Sequence, residues 1–226
     1  MRRLLYVPII HSDTDMGSAG NALAHQMRQL LGESRWELHQ KTIEGFWQSV
    51  EEYLLSLDAH KLRIYQDGLA AEGEVGRRII QEAAARGSRN YQLVLGLLSR
   101  GARFSMTEDA SLLLKERENI TSLLQRPQSQ AIPYPQLRDQ ITAERDRFIA
   151  QRINATLQEG EIGLLFIGAY HQVASHLPTD IQTESIKVPK RVRDYFTELL
   201  SGRDEDKLTE LAQHLIAPIA GSSSHY

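Results

Sequence analysis

Imidazoles and carboxylates stand directly behind the short apolar runs of this chain. His11, with Asp13 and Asp15, follows the run at 4–10, and Gln66 with Asp67 follows 61–65. Glu108 with Asp109 follows 102–106, and Tyr170 with His171 follows 162–167. Imidazole and carboxylate together form a ligand set that suits zinc, manganese, cobalt or iron. They also suit a general base that activates water. The metal-ligand candidates are therefore His11, Asp67, Glu108 and His171. Asp13, Gln66, Asp67 and Tyr170 are the candidates for holding substrate.

Each acidic member also has a purely structural use. Asp13 or Asp15 can cap a helix near Ser18 or Gly17, and Asp67 before Gly68 is a turn residue. Glu108 and Asp109 begin a helical stretch, where carboxylates complement the backbone dipole. The histidines are harder to dismiss, because each directly ends an apolar strand. His176, five residues beyond His171, is a weaker supplement to the site. The chain has no HExxH, phosphate loop or GxSxG elbow, and Ser12 beside His11 makes no triad by itself. With no cysteine, disulfides, thiolate zinc sites and a cysteine nucleophile are excluded.

Five apolar runs alternate with amphipathic stretches, which predicts an α/β fold: a mostly parallel sheet of about five strands, flanked by helices. The runs are 4–10, 61–65, 102–106, 162–167 and 183–188. The first and fourth are continuously apolar and read as central strands; the alternating second and third read as peripheral. Helices are expected over 19–31, 36–57, 74–85, 90–99, 110–124, 141–157, 192–200 and 207–217. The stretch 36–57 is a long helical elaboration carrying Trp36 and Trp47. Prolines 127, 133 and 135 interrupt the helical pattern, but no strand-bearing unit closes before them. One α/β domain over 1–220 with a disordered tail at 221–226 is the expectation. In such sheets ligands bind beyond the carboxyl ends of the strands, so parallel strands would gather the polar groups on one rim.

The 226 residues carry 26 Lys+Arg against 29 Asp+Glu, a formal charge of −3. That balance argues against a dedicated nucleic-acid partner, which needs clustered cations. Lys187, Lys190, Arg191 and Arg193 fit a solvated helix start. No window approaches the ~18 apolar residues of a membrane span. Pro8 and the polar segment after it argue against a signal peptide, and a cysteine-free chain fits the cytoplasm.

Glu144-Arg-Asp-Arg-Phe-Ile-Ala-Gln-Arg-Ile153, then Leu157, Gly160 and the strand into Gly168-Ala-Tyr-His171, resembles the TraB / erythromycin esterase / ChaN-like superfamily. That superfamily has an arginine-led helix, a strand and a Gly-x-x-His motif. Leu97, Leu98, Gly101 and the segment 104–108 look like its strand ending in glutamate. The opening 6–11 is similar to a first Gly-x-x-His strand, with Pro8 in place of glycine. Asp146 stands where many members have asparagine. The resemblance covers roughly 95–178, and 4–17 more weakly. It implies paired histidines and acids lining one cavity, with His11, Glu108, Arg145 and His171 as catalytic residues. Arg145 would hold an anionic group or orient a carboxylate.

The reading is a metal-dependent hydrolase that activates water against a small-molecule or peptide-like substrate, with a divalent zinc, manganese, cobalt or iron ion. A non-catalytic haem or nucleotide carrier is the second reading. The third is a scaffold subunit or homo-oligomer docked through the helix at 36–57.

Overall fold

The computed structural model describes residues 1–10, 20–125 and 134–220, and within them the side chains outside 20–23 and 119–139. Five strands, β1 (Arg2–Ile9), β2 (Leu62–Gln66), β3 (Arg103–Ser105), β4 (Ile162–Gly168) and β5 (Ile181–Ser185), form one parallel sheet in the order β3-β2-β4-β1-β5. The α/β expectation holds. Because every pairing is parallel, the carboxyl ends of all strands open on the same edge.

Central β4 is buried almost throughout, as its unbroken apolar run requires. The second run was read as peripheral, yet β2 lies inside the sheet between β3 and β4. Arg63 made it look half-exposed. Its Nε and Nη2 donate to Glu161 at 2.8 and 2.9 Å, and its Nη1 donates to Ser105 at 3.2 Å. A charge can stand on an inner strand when its partner is built beside it.

Eight helices are described: α1 (Gly20–Leu31), α2 (Glu33–Leu55), α3 (Gly73–Ala85), α4 (Arg89–Ser99), α5 (Ala110–Gln125), α6 (Tyr134–Thr156), α7 (Pro189–Ser201) and α8 (Glu205–Ile216). Strand alternation sorts side chains to two faces. Leu5, Val7, Ile64, Leu164 and Phe166 meet one apolar cluster that includes α2, α4, α7 and α8 side chains. Leu4, Tyr6, Tyr65, Leu165 and Ile167 meet the other, which α6 supplies through Ile149, Ala150 and Ile153. The elaborating helix α2 faces inward: Phe46 and Trp47 are fully buried, and α8 packs along it. Trp47 Nε1 donates to the Ile10 carbonyl at 3.1 Å, tying the helix to the end of β1. That face is core, which removes the observation on which a docking helix would rest.

No described helix is long and apolar enough to cross a membrane. His11, Asp13, most of the proline-interrupted segment and the tail at 221–226 lie outside the described residues.

Candidate functional site

Strand ends and one helix assemble the site. Asp67 leaves β2 in a turn closed by Gly68, whose φ of 78° favours a residue without Cβ. The Asp67 amide still donates to Phe166 on β4 at 2.9 Å, so its position is fixed by the sheet. Beyond β3, Thr107 Oγ1 accepts from the Gln66 amide at 2.9 Å. The Thr107 and Glu108 amides donate to the Leu69 carbonyl at 2.9 and 3.1 Å. The two loops are laced together, and Glu108 is thereby held, fully buried, beside Asp67. Asp109 serves as the structural reading had it: Oδ1 accepts from the Ser111 amide at 2.7 Å, capping α5.

Adjacent residues on α6 point about 100° apart around the helix, and Arg145 and Asp146 use that divergence. Arg145 Nη2 donates to Asp67 Oδ1 and to Glu108 Oε1, each at 2.5 Å, and its Nε donates to Glu108 Oε2 at 3.2 Å. Its Nη1 reaches Glu116 on α5 at 3.1 and 3.3 Å. One guanidinium therefore gathers three carboxylates. Burial works against the Arg145 charge, but the Glu108 hydrogen bond and the Asp67, Glu108 and Glu116 charges outweigh it and push its pKa up. Burial raises the Glu108 carboxyl above the usual carboxylate range, Asp67 adds to the rise, and Arg145 opposes it.

Asp146 turns to the other side. Its Oδ1 lies 2.5 Å from His171 Nδ1, and its Oδ2 accepts from the Gln172 amide at 2.7 Å. His171 is set by a turn off β4, its amide donating to the Gly168 carbonyl at 3.1 Å. Burial disfavours the imidazolium, but the Asp146 hydrogen bond and the Asp67 and Asp146 charges prevail and raise its pKa above 6.5. With a carboxylate at Nδ1, the neutral ring carries its proton there and leaves Nε2 as the acceptor. A Cβ added at Gly168 would meet both His171 Cδ2 at 3.5 Å and Asp67 Oδ2 at 3.8 Å, and the Gly168 amide donates to Asp67 Oδ2 at 3.3 Å. The histidine and the arginine cluster thus share one rim.

Next to that rim is a cleft of about 580 Å³. Gln66, Asp67, Glu116 and Arg145 line it, as do Asn90 and Tyr91 at the start of α4. Tyr170 lies apart, 59% exposed, with the Arg193 guanidinium 5.9 Å from its ring centroid. Of the candidates read from the sequence, Gln66, Asp67, Glu108, Arg145 and His171 converge, whereas Tyr170 does not. His11 and Asp13 belong to the segment outside the described residues.

Sequence reasoning did not assign roles to Asp146, Glu116, Asn90 or Tyr6. Asp146 had shown only as a departure from asparagine; that departure gives His171 a carboxylate. The Tyr6 hydroxyl is buried without a hydrogen-bond partner among the described residues. Burial and the Asp146 charge push its pKa up, keeping it protonated. No spacing rule links residues 6, 90, 116 and 146 to the site.

The imidazole and carboxylate candidates His11, Asp67, Glu108 and His171 predict a divalent metal. Among the described residues, however, no group of three or more histidine, aspartate or glutamate side chains could hold a metal ion. Asp67 and Glu108 are turned onto Arg145, and His171 Nδ1 onto Asp146. The described donor set does not fit an ion. Comparison with protein-family models, with curated proteins and with solved structures finds no match for the chain.

Proposed function

We propose that this protein is a hydrolase in which His171, oriented by Asp146, takes a proton from a water molecule that attacks a small-molecule or peptide-like substrate. The observation that carries the reading is the 2.5 Å Asp146–His171 contact at the carboxyl end of the central strand. A carboxylate behind an imidazole fixes its tautomer and stabilises the imidazolium formed when the water is deprotonated. Anchoring of Asp146 by the Gln172 amide keeps the pair aligned. Nε2 accepts the proton and can return it to the leaving group, so no side-chain nucleophile is required. The Arg145 guanidinium, whose donors go to Asp67, Glu108 and Glu116, holds those carboxylates in place beside the site. The superfamily resemblance is part of this proposal, and it is supported by the convergence of Glu108, Arg145 and His171. A cytoplasmic setting fits a chain without cysteine.

The test is a panel of chromogenic esters and amides assayed with the native chain, His171→Gln and Asp146→Asn. His171→Gln is expected to lower turnover of any active substrate by about 10²–10⁴-fold. Turnover is expected to rise with pH through the His171 titration, above the ordinary imidazole value. Asp146→Asn should move that rise to lower pH. Full turnover by His171→Gln would end the proposal. Loss of turnover after exhaustive chelation, with His171→Gln still active, would transfer the chemistry to a metal.

A further inference from the structure

The turn that carries His171 is gripped by helices from both faces of the sheet. It runs from Gly168 to His171 and is closed by the His171 amide on the Gly168 carbonyl at 3.1 Å. From α6, Asp146 holds the His171 ring and the Gln172 amide. From α7, Arg193 Nη1 donates to the Ala169 carbonyl at 2.5 Å, and the guanidinium carbon lies 5.9 Å from the Tyr170 ring centroid. The two helices are anchored in opposite apolar clusters. Ile149, Ala150 and Ile153 of α6 belong to one, and Val192, Tyr195 and Leu199 of α7 to the other.

Arg193 is used differently from the cations beside it. Lys190 pairs with Asp194, and Arg191 approaches Glu210 at 3.9 Å. Arg193 is half-buried and has no carboxylate partner among the described residues. Ordering so long a side chain costs rotamer entropy, and here a charge-assisted bond to a backbone carbonyl offsets it. The acceptor is the oxygen of the Ala169–Tyr170 peptide. In a four-residue turn that central peptide is the joint whose rotation separates type I from type II. Type II requires a positive φ at its third residue, here Tyr170, and no described residue other than glycine has one. Arg193 thus grips the joint whose rotation would re-aim His171.

We propose that Arg193 is a positioning residue for His171: by fixing the Ala169 carbonyl from α7, it keeps the turn in the form that lays the imidazole on Asp146. The side chain acts through the turn alone. Without it, Asp146 remains anchored by the Gln172 amide, but the turn is free to rock and the imidazole–carboxylate contact loosens. The consequence for turnover rests on the hydrolase reading, whereas the clamp itself does not.

The test compares the full native chain with Arg193→Met, which keeps an unbranched stem without donors, and Arg193→Lys, which keeps a charged donor. Proton NMR reads the His171 Nδ1 proton, which lies far downfield when shared in a short bond with a carboxylate; its loss in His171→Gln identifies it. In Arg193→Met this resonance is expected to move upfield or broaden, and the His171 amide to exchange with solvent about tenfold faster. With any active ester or amide, kcat should fall about 10–100-fold while KM holds. Arg193→Lys should recover most of each change. An unchanged resonance together with unchanged exchange in Arg193→Met, even with a lower thermal midpoint, would overturn the inference and leave Arg193 a stabilising contact only. Absence of the downfield proton from the native chain would count against the hydrolase reading instead, and amide exchange would still decide the clamp.

Discussion

His171 shows how a single ionisable side chain couples chemistry to stability. Its pKa is raised because burial is outweighed by the Asp146 hydrogen bond and the Asp67 and Asp146 charges. The folded chain therefore binds this proton more tightly than the unfolded chain. The resulting stabilisation is fully present below about pH 6.5, the unfolded value, and is lost as pH rises through the folded value. Urea melts between pH 5.5 and 9 should show the native chain losing stability relative to His171→Gln across that window. Parallel curves for the two proteins would mean that His171 titrates alike in both states. The same residue was legible in the sequence because it ends an apolar run. Asp146 was not, because its role depends on α6 crossing the end of β4, twenty-five residues before the histidine it holds.

At the scale of elements, close approach decides which glycines matter. Gly76 lies in α3, where an added Cβ would meet the Ala71 carbonyl oxygen at 2.5 Å and Phe104 Cε2 at 2.7 Å. Gly96 lies in α4 with nothing within 4 Å. Helix propensity alone favours alanine at both by ~1 kcal/mol. Crowding costs about 1–3 kcal/mol, so it cancels or reverses the gain only at Gly76. Gly96→Ala is expected to stabilise by roughly 0.5–1 kcal/mol, and Gly76→Ala to be neutral or destabilising. Chemical denaturation checks both, and equal gains would refute the assigned contact between α3 and β3. Strand existence and helix existence were readable from periodicity. The place of β2 was not, since Arg63 broke the apolar pattern and only its pairing with Glu161 explains an inner position.

Over the whole molecule, the two faces of the sheet are covered unequally. Several helices share one face, while α6 supplies the main apolar cover of the other and also carries Arg145 and Asp146. Fold and chemistry are thus loaded on one element. Ile153, fully buried on α6, tests this: Ile153→Ala should cost about 2–5 kcal/mol in a denaturant melt. A loss below about 1 kcal/mol would show that α6 is held by something other than this packing.

The α/β class, the five strands and the polar residues placed at their ends are legible from local pattern alone. Those features follow from local periodicity and from the single edge on which parallel strands must terminate. Which polar groups pair is settled by the folded chain: one arginine gathers Asp67, Glu108 and Glu116, Asp146 backs His171, and Tyr170 stands apart. Pairing depends on the separation and facing of elements distant along the chain, and no local rule of spacing carries that information.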